Sequence, residues 1–426
     1  MGIKEDARNM KLASPVLAAS PIEQRNAALE LVARRLREGA DAVFAANAQD
    51  MAAAEEAGVA APVMKRLKFD EVKLTDVIAG IEQLISLPDP LGVQQLAREL
   101  DEGLELRRFS CPIGVIGVIF EARPDALVQI STLCLKSGNC AILKGGRETA
   151  ATNRALFGII KDAAVEAGLP AECLLQAEAH SEIDELLGCH ESVDLLIPRG
   201  SNAFVSYIMN NTKIPVMGHA DGICHIYVDA AADQDACLPI IVEAKTQYTA
   251  ACNAVDTILV NRAIAGEFLP KLAGAMADAG VALHAEDEVR QIIGCEPLGE
   301  DGFAHEYLSL DASVRLVDGL DEAIDHINRF GSHHTDAIMT EDDAAADRFV
   351  QMVDSAGVYR NCSTRFADGF RYGFGAEVGI STGKIHARGP MGPEGLCSYK
   401  YILSGHGDVV ADFAAGRRRF THRELL

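Results

Sequence analysis

The chain has 426 residues, 49% of them hydrophobic, and carries 39 basic against 62 acidic side chains for a net charge of −23. That length is too great for one ordinary core and predicts two or three domains. The acidic balance excludes general affinity for nucleic acid or anionic membranes, so an anionic ligand would need a local cluster of Arg and Lys.

Residues 1–95 read as Ala-rich helices with charges at helical spacing, ending at the breaker Leu87-Pro-Asp-Pro-Leu-Gly92. Residues 100–109 read as a hairpin around Asp101-Glu-Gly103. A regular alternation follows. Residues 114–120 form an apolar strand, 125–137 a helix closed by Gly138, and 140–143 a second strand. The helix expected over 149–167 places Leu156, Ile159, Ile160, Ala163 and Ala164 on one face and ends at Gly168 and Pro170. Strands at 173–175, 194–197 and 223–228 continue this series. A second series has strands at 256–260, 314–317, 336–340 and 357–360, with helices at 262–279, 319–330 and 342–353. A glycine-rich basic stretch covers 379–392, and 398–403 reads as a last strand. Apolar strands alternating with helices of this length imply parallel sheets covered on both faces. The expected architecture is α/β, with two doubly wound lobes and Cys252 in a short polar loop at their junction.

The eleven cysteines are scattered through the chain, odd in number and without a Cys-x-x-Cys pair, which is the usage of a reducing compartment. No signal-like N-terminus is present and no apolar run approaches about 18 residues, so a soluble, cytoplasmic protein is expected. Tempting glycine motifs fail. Gly379-Ile-Ser-Thr-Gly-Lys-Ile lacks the spacing and the hydroxyl residue of a phosphate-binding loop, and Gly373-Phe-Gly-Ala-Glu-Val-Gly379 follows no strand. The twelve histidines show no metal spacing, and the adjacent His333 and His334 read as solvated loop residues. Strand ends are more informative. Leu143-Lys-Gly-Gly146 and Ile197-Pro-Arg-Gly-Ser-Asn202 each place a cation and pliant backbone where α/β sheets bind ligands, the second opening a helix. Each is either a turn with a solvated cation or half of a nucleotide site.

Taken together, these segments resemble the aldehyde dehydrogenase superfamily and, within it, the γ-glutamyl phosphate reductase branch. The resemblance runs from about residue 8 to 404 and is carried by Val118-Ile-Phe-Glu-Ala-Arg-Pro124, Leu196-Ile-Pro-Arg-Gly200, Gly222-Ile-Cys-His-Ile-Tyr-Val-Asp229, Ala244-Lys-Thr-Gln247, Ser363-Thr-Arg-Phe-Ala-Asp-Gly369 and Lys384-Ile-His-Ala-Arg-Gly-Pro-Met-Gly392. It implies a nucleotide-cofactor domain over 1–95 and 113–242, a catalytic domain over 243–395, and a small β oligomerisation flap with a C-terminal tail over 96–112 and 396–426. The implied activity is NADPH-dependent reduction of L-glutamyl 5-phosphate to L-glutamate 5-semialdehyde in proline biosynthesis. Another acylating or hydrolysing NAD(P)-dependent aldehyde dehydrogenase is the alternative. A homo-oligomer is implied, as is transient contact with the glutamate 5-kinase that makes the unstable acyl phosphate.

Residue by residue, the resemblance makes Cys252 the nucleophile that forms a thioester. It assigns Lys144 with Gly145 to the adenosine ribose and 2′-phosphate of NADP(H), Arg199, Gly200 and Ser201 to the pyrophosphate, and Glu306 to the nicotinamide ribose. The oxyanion-donor Asn of the superfamily aligns with Asp125, where a carboxylate repels developing negative charge unless protonated, so the Cys252 backbone amide becomes the expected donor, with Asn253 beside it. His219 stands where hydrolytic members carry a water-activating Glu, and Lys245 is the sequence candidate for a cation near the thiol. Arg123, Arg365 and Arg388, with Lys384 and His386, are the expected anchors for the substrate's carboxylate and phosphate. For Arg365→Ala, the expected outcome is a KM for glutamate semialdehyde raised far more than the KM for the nicotinamide cofactor. Steady-state kinetics checks it, and equal effects on both count against a substrate role.

Overall fold

The computed structural model describes residues 2–179, 181–218 and 221–425. Two compact units emerge. The first comprises 1–217, 374–378 and 391–426, and the second 218–373 and 379–390.

The first unit begins with α1 (Ile3–Ala18), α2 (Ile22–Glu38), α3 (Ala40–Glu56), α4 (Ala61–Leu67) and α5 (Glu71–Ser86). The strands β1 (Gln94–Asp101) and β2 (Leu104–Pro112) pair as the expected hairpin, Asp101 opposite Leu104. Then come β3 (Val115–Phe120), α6 (Pro124–Lys136), β4 (Cys140–Lys144), α7 (Ala150–Glu166), β5 (Leu174–Ala177), α8 (Ser181–Leu187), β6 (Leu195–Arg199) and α9 (Asn202–Asn210). Their parallel sheet has the order β5-β4-β3-β6. Every residue of β3 and β4 is buried, which is why both read as unbroken apolar runs rather than alternating ones.

Asp50 on α3 holds the start of α7. Its carboxylate accepts the amides of Ala151 at 3.1 Å and Thr152 at 2.7 Å, and the Thr152 hydroxyl at 2.6 Å. An anion at that end satisfies orphan donors and complements the helix dipole. It thereby fixes the turn that leaves β4.

The second unit contains β7 (Cys224–Val228), α10 (Gln234–Thr246), β8 (Val255–Asn261), α11 (Ala265–Asp278), β9 (Ala282–Ala285), α12 (Asp287–Ile293), β10 (Glu296–Pro297), β11 (Asp311–Val317), α13 (Leu320–Phe330), β12 (Thr335–Met339), α14 (Asp343–Met352) and β13 (Gly357–Arg360). The short strands β14 (Ile380–Ser381) and β15 (Gly389–Pro390) pair antiparallel. The seven-stranded parallel sheet has the order β10-β9-β11-β8-β7-β12-β13. Its core on one face gathers Ile226, Ile258, Phe268, Leu272, Val314 and Met339. The other face buries Tyr227, Leu259, Ile324, Ile338 and Phe349.

Strand β7 corrects the expected boundary at 242/243. It pairs with β8 and β12 rather than with the first sheet, so the chain enters the second unit at Gly218. An apolar run announces a buried strand but carries no information about which sheet receives it. The short strands β9 and β10 were also missing from the expectation, β10 having only two residues.

The chain then returns to the first unit with β16 (Cys397–Ser404), α15 (Val410–Ala414) and β17 (Arg423–Glu424). Strand β16 lies antiparallel to β2 and β17 to β1, giving the sheet order β16-β2-β1-β17. The segments expected to form a flap, 96–112 and 396–426, therefore supply this separate sheet. Among the described residues no helix is long and apolar enough to cross a membrane.

Asp50→Ala is expected to lower unfolding stability by about 2 kcal/mol, the loss of a charged cap with its hydrogen bonds. A reduced urea midpoint at unchanged m-value checks it.

Candidate active site

Helix α10 ends at Thr246, and the chain turns through Gln247–Ala254 before entering β8. Two tight turns shape the loop, with the Ala251 amide donating to the Tyr248 carbonyl at 3.2 Å and the Ala254 amide to the Ala251 carbonyl at 2.9 Å. Cys252 sits half-buried between them. Gly222 packs directly behind it: a Cβ built on Gly222 would fall 2.2 Å from the Cys252 carbonyl oxygen and 2.6 Å from its Cα. Only glycine permits that approach.

The thiol meets an imidazole. His334 Nε2 lies 3.2 Å from Cys252 Sγ, and His334 Nδ1 lies 2.9 Å from the Thr335 hydroxyl. The ring is fully buried, contrary to the expectation that His333 and His334 are solvated. His333 turns aside with φ 61° and bonds through Nδ1 to the Asp354 carbonyl at 2.6 Å. The sequence placed this pair in a loop before a strand, but only sheet order shows that β12, which follows His334, lies beside β7 and one strand from β8, which follows Cys252.

A second segment, 363–371, is stitched onto the nucleophile loop. The Thr364 hydroxyl donates to the Asn253 carbonyl at 2.7 Å, Asn253 Nδ2 donates to the Ala367 carbonyl at 2.8 Å, and Arg365 Nε donates to Gln247 Oε1 at 2.9 Å. Arg371 donates to the Arg365 carbonyl and approaches Gln247 Oε1 at 3.5 Å. Arg365 is 8% exposed. Burial and the neighbouring Arg371 lower its pKa, while a charge on Cys252 acts in the opposite sense. A cation is thus within electrostatic reach of the sulfur, the environment that favours thiolate.

Other expected residues are differently engaged. One N–H of the Asn253 side-chain amide is committed to the Ala367 carbonyl, so the residue ties two loops together. Lys245 is fully buried, with Nζ 3.2 Å from Asp256 Oδ1 and 5.5 Å from the Tyr307 ring. That pairing answers Asp256, whose pKa burial raises to about 6 against the pull of Lys245. Arg365 is the cation that interacts electrostatically with Cys252. Glu306 is half-buried near Asp256. Lys384 and Arg388 both bind the Asp354 carboxylate, Arg388 Nη1 at 3.0 Å, with its Nη2 on the Asp354 carbonyl at 3.0 Å. The bond from Lys384, with Arg388 behind it, holds the Asp354 carboxyl below its ordinary pKa. His386 is exposed on the same segment with φ 75°. His219 lies outside the described residues.

In the first unit, Lys144 closes β4 with its side chain largely buried and its Nζ on the Gly145 carbonyl at 2.7 Å. Burial lowers its pKa against the pull of Glu182 and Glu148. A Cβ on Gly145 would strike Asn153 Nδ2 at 2.2 Å. The Arg199-Gly200-Ser201 turn opens α9, and the Ser201 amide donates to Glu121 Oε2 at 3.2 Å. That amide already holds an anion, here a carboxylate. Arg123 is exposed at the start of α6. Asp125 accepts from Lys73 Nζ at 3.3 Å, so its carboxylate faces a cation.

Residues 3–292 match the aldehyde dehydrogenase family. The chain is 54% identical over 425 residues to γ-glutamyl phosphate reductase of Pelotomaculum thermopropionicum, covering 100% of this chain and 98% of that protein. The chain belongs to the γ-glutamyl phosphate reductase branch of the aldehyde dehydrogenase family. γ-Glutamyl phosphate reductase 1 of Synechocystis sp. is 53% identical over 420 residues, 98% of this chain and 97% of that one. The crystal structure of the Thermotoga maritima γ-glutamyl phosphate reductase superposes with a TM-score of 0.93 at 36% identity, covering 95% of this chain and 99% of that one. The fold is therefore that of an aldehyde dehydrogenase, and the protein is an oxidoreductase that uses a nicotinamide cofactor.

Gly222→Ala is expected to displace the nucleophile and lower kcat about 100-fold, the scale of a misplaced reacting group. Pre-steady-state thioester formation, compared with cofactor affinity measured by fluorescence, checks it; only the first should change.

Proposed function

We propose that the chain reduces L-glutamyl 5-phosphate to L-glutamate 5-semialdehyde with release of phosphate, using NADPH, in proline biosynthesis. The contact of 3.2 Å between Cys252 Sγ and His334 Nε2 carries the reading. It supplies an activated thiol in a chain whose relatives are named for this substrate. An acyl phosphate brings its own leaving group, so the protein needs a nucleophile more than an acid.

Four groups do the work. His334 takes the Cys252 proton at Nε2, and Arg365 favours the resulting thiolate. The thiolate attacks the acyl carbon, a C–S bond forms, the C–O bond to phosphate breaks, and phosphate leaves with the electron pair. The main-chain N–H of Cys252 is the proposed oxyanion donor, since Asn253 and Asp125 are engaged elsewhere. Arg365 also anchors the substrate carboxylate, and Arg123, Lys384, His386 and Arg388 are the further anchors, Lys384 and Arg388 once released from Asp354.

The buried cation of Lys144 and the crowded Gly145 fit a phosphate-bearing nucleotide, with Lys144 on its 2′-phosphate, which favours NADPH over NADH. The Arg199–Ser201 turn would hold the pyrophosphate once Glu121 yields the Ser201 amide, and Glu306 the nicotinamide ribose. When bound, the reduced nicotinamide supplies the hydride that the acyl group requires. A cytoplasmic homo-oligomer built through the β1–β2–β16–β17 sheet, fed by transient contact with glutamate 5-kinase, completes the reading.

In the reverse direction phosphate must accept the acyl group. Oxidation of glutamate semialdehyde with NADP+ is expected to stop when phosphate is omitted and to be slower with NAD+. Full turnover without phosphate would instead identify a hydrolysing dehydrogenase. His334→Ala is expected to lower kcat about 100-fold, the usual range for loss of a general base.

A further inference from the structure

Cys224 opens β7 with none of its side chain exposed, and its thiol faces both members of the catalytic pair. Its S–H donates to the main-chain carbonyl of Cys252 at 3.3 Å. The same sulfur lies 3.8 Å from His334 Nδ1, the ring nitrogen opposite the one that meets Cys252. Thr335 Oγ1 approaches that Nδ1 too, at 2.9 Å. Burial raises the Cys224 pKa well above its ordinary value, so the group remains a thiol with its hydrogen on the Cys252 carbonyl. What it offers the imidazole is sulfur lone pairs.

A neutral imidazole has one N–H and one acceptor nitrogen. His334 takes the Cys252 proton at Nε2 only when its own hydrogen resides on Nδ1. The Cys224 sulfur, its own hydrogen being on the Cys252 carbonyl, meets Nδ1 as an acceptor only, which favours this tautomer, and the Thr335 hydroxyl oxygen is able to accept the same hydrogen. We propose that Cys224 and Thr335 are positioning residues for the reaction: together they hold His334 as its Nδ1–H tautomer, and Cys224 also pins the nucleophile through the Cys252 carbonyl. The proposal rests on the reading of His334 as proton acceptor. The step is a transfer of one proton from Sγ to Nε2, leaving a thiolate and an imidazolium.

Among the described residues, the titratable and charged groups that face the pair or Arg365 include Arg371 and Asp368 on the 363–371 segment with Arg365 itself, Glu243 on α10, Asp256 on β8, Asp336 on β12 and Tyr359 on β13. None of the proposed substitutions alters them, so a change in the Cys252 titration reports on the imidazole.

The test follows iodoacetamide alkylation of Cys252 against pH in the full chain, resolved from the other cysteines by peptide mass spectrometry, alongside kcat and both KM values. Cys224→Ala and Thr335→Val are each expected to move the alkylation midpoint to higher pH and lower kcat about tenfold, a fraction of a whole base's contribution. The KM for the cofactor should not change. Cys224→Ser, which keeps a donor hydrogen and lone pairs, is expected to recover most of the rate. His334→Ala separates the two layers. If it slows neutral-pH alkylation while Cys224→Ala and Thr335→Val titrate like the parent, the tautomer assignment is overturned and the base remains. If His334→Ala itself alkylates like the parent, the base falls and the proposal with it. Thr335→Val preserves buried volume, so a parental midpoint in that variant overturns the assignment even where Cys224→Ala does not fold.

Discussion

The approach of a buried imidazole to a half-buried thiol is the interaction around which the second unit is arranged. His334 and Cys252 are far apart in sequence and reach each other because β12 and β8 flank the same strand, β7. Sheet order brings them near, and close packing then sets the distance. Gly222 leaves no room behind the nucleophile, and the Cys224 thiol ties the loop's carbonyl to the sheet. On the other side, Thr364, Arg365 and Asn253 bind the 363–371 segment to the same loop. A short loop that would be free in isolation is held from several directions, which is the condition for a preorganised nucleophile.

Electrostatics makes the same point locally that net charge obscures globally. The chain carries a net charge of −23, yet the segment bonded to the Cys252 loop brings two cations, Arg365, which interacts electrostatically with Cys252, and Arg371 beside it. Screening by salt weakens the long-range part more than the buried one. The Asp354 carboxylate shows that anions do settle on the basic 384–388 segment, where it binds both Lys384 and Arg388.

Much of the fold was legible because buried parallel strands are uniformly apolar and glycines mark where helices stop. The strands at 115–120, 140–144 and 255–261 were therefore found close to their observed limits. Partnership between strands was not legible, and β7 was assigned to the wrong series for that reason. The site divided along the same line. Cys252 was singled out through the motif around it and Arg365 through its branch-specific segment, and the structure joins the loops that carry them. His334 was passed over because adjacent histidines in a loop look solvated, and its role depends on a neighbour 82 positions away. Asn253 and Lys245 looked like catalytic candidates because they are near Cys252 in sequence, but their side chains point to Ala367 and Asp256.

The way the chain leaves the first unit and later returns to it has a consequence for biosynthesis. Residues 218–373 form most of the second unit, and the strands that complete the antiparallel sheet, β16 on β2 and β17 on β1, come only afterwards. The second unit can therefore close on itself while β1 and β2 still wait for their distant partners. Pairings of such long sequence separation form slowly and leave strand edges uncovered in the meantime. The two edges of the β1–β2 hairpin are thus covered only by strands that follow the whole second unit in the chain.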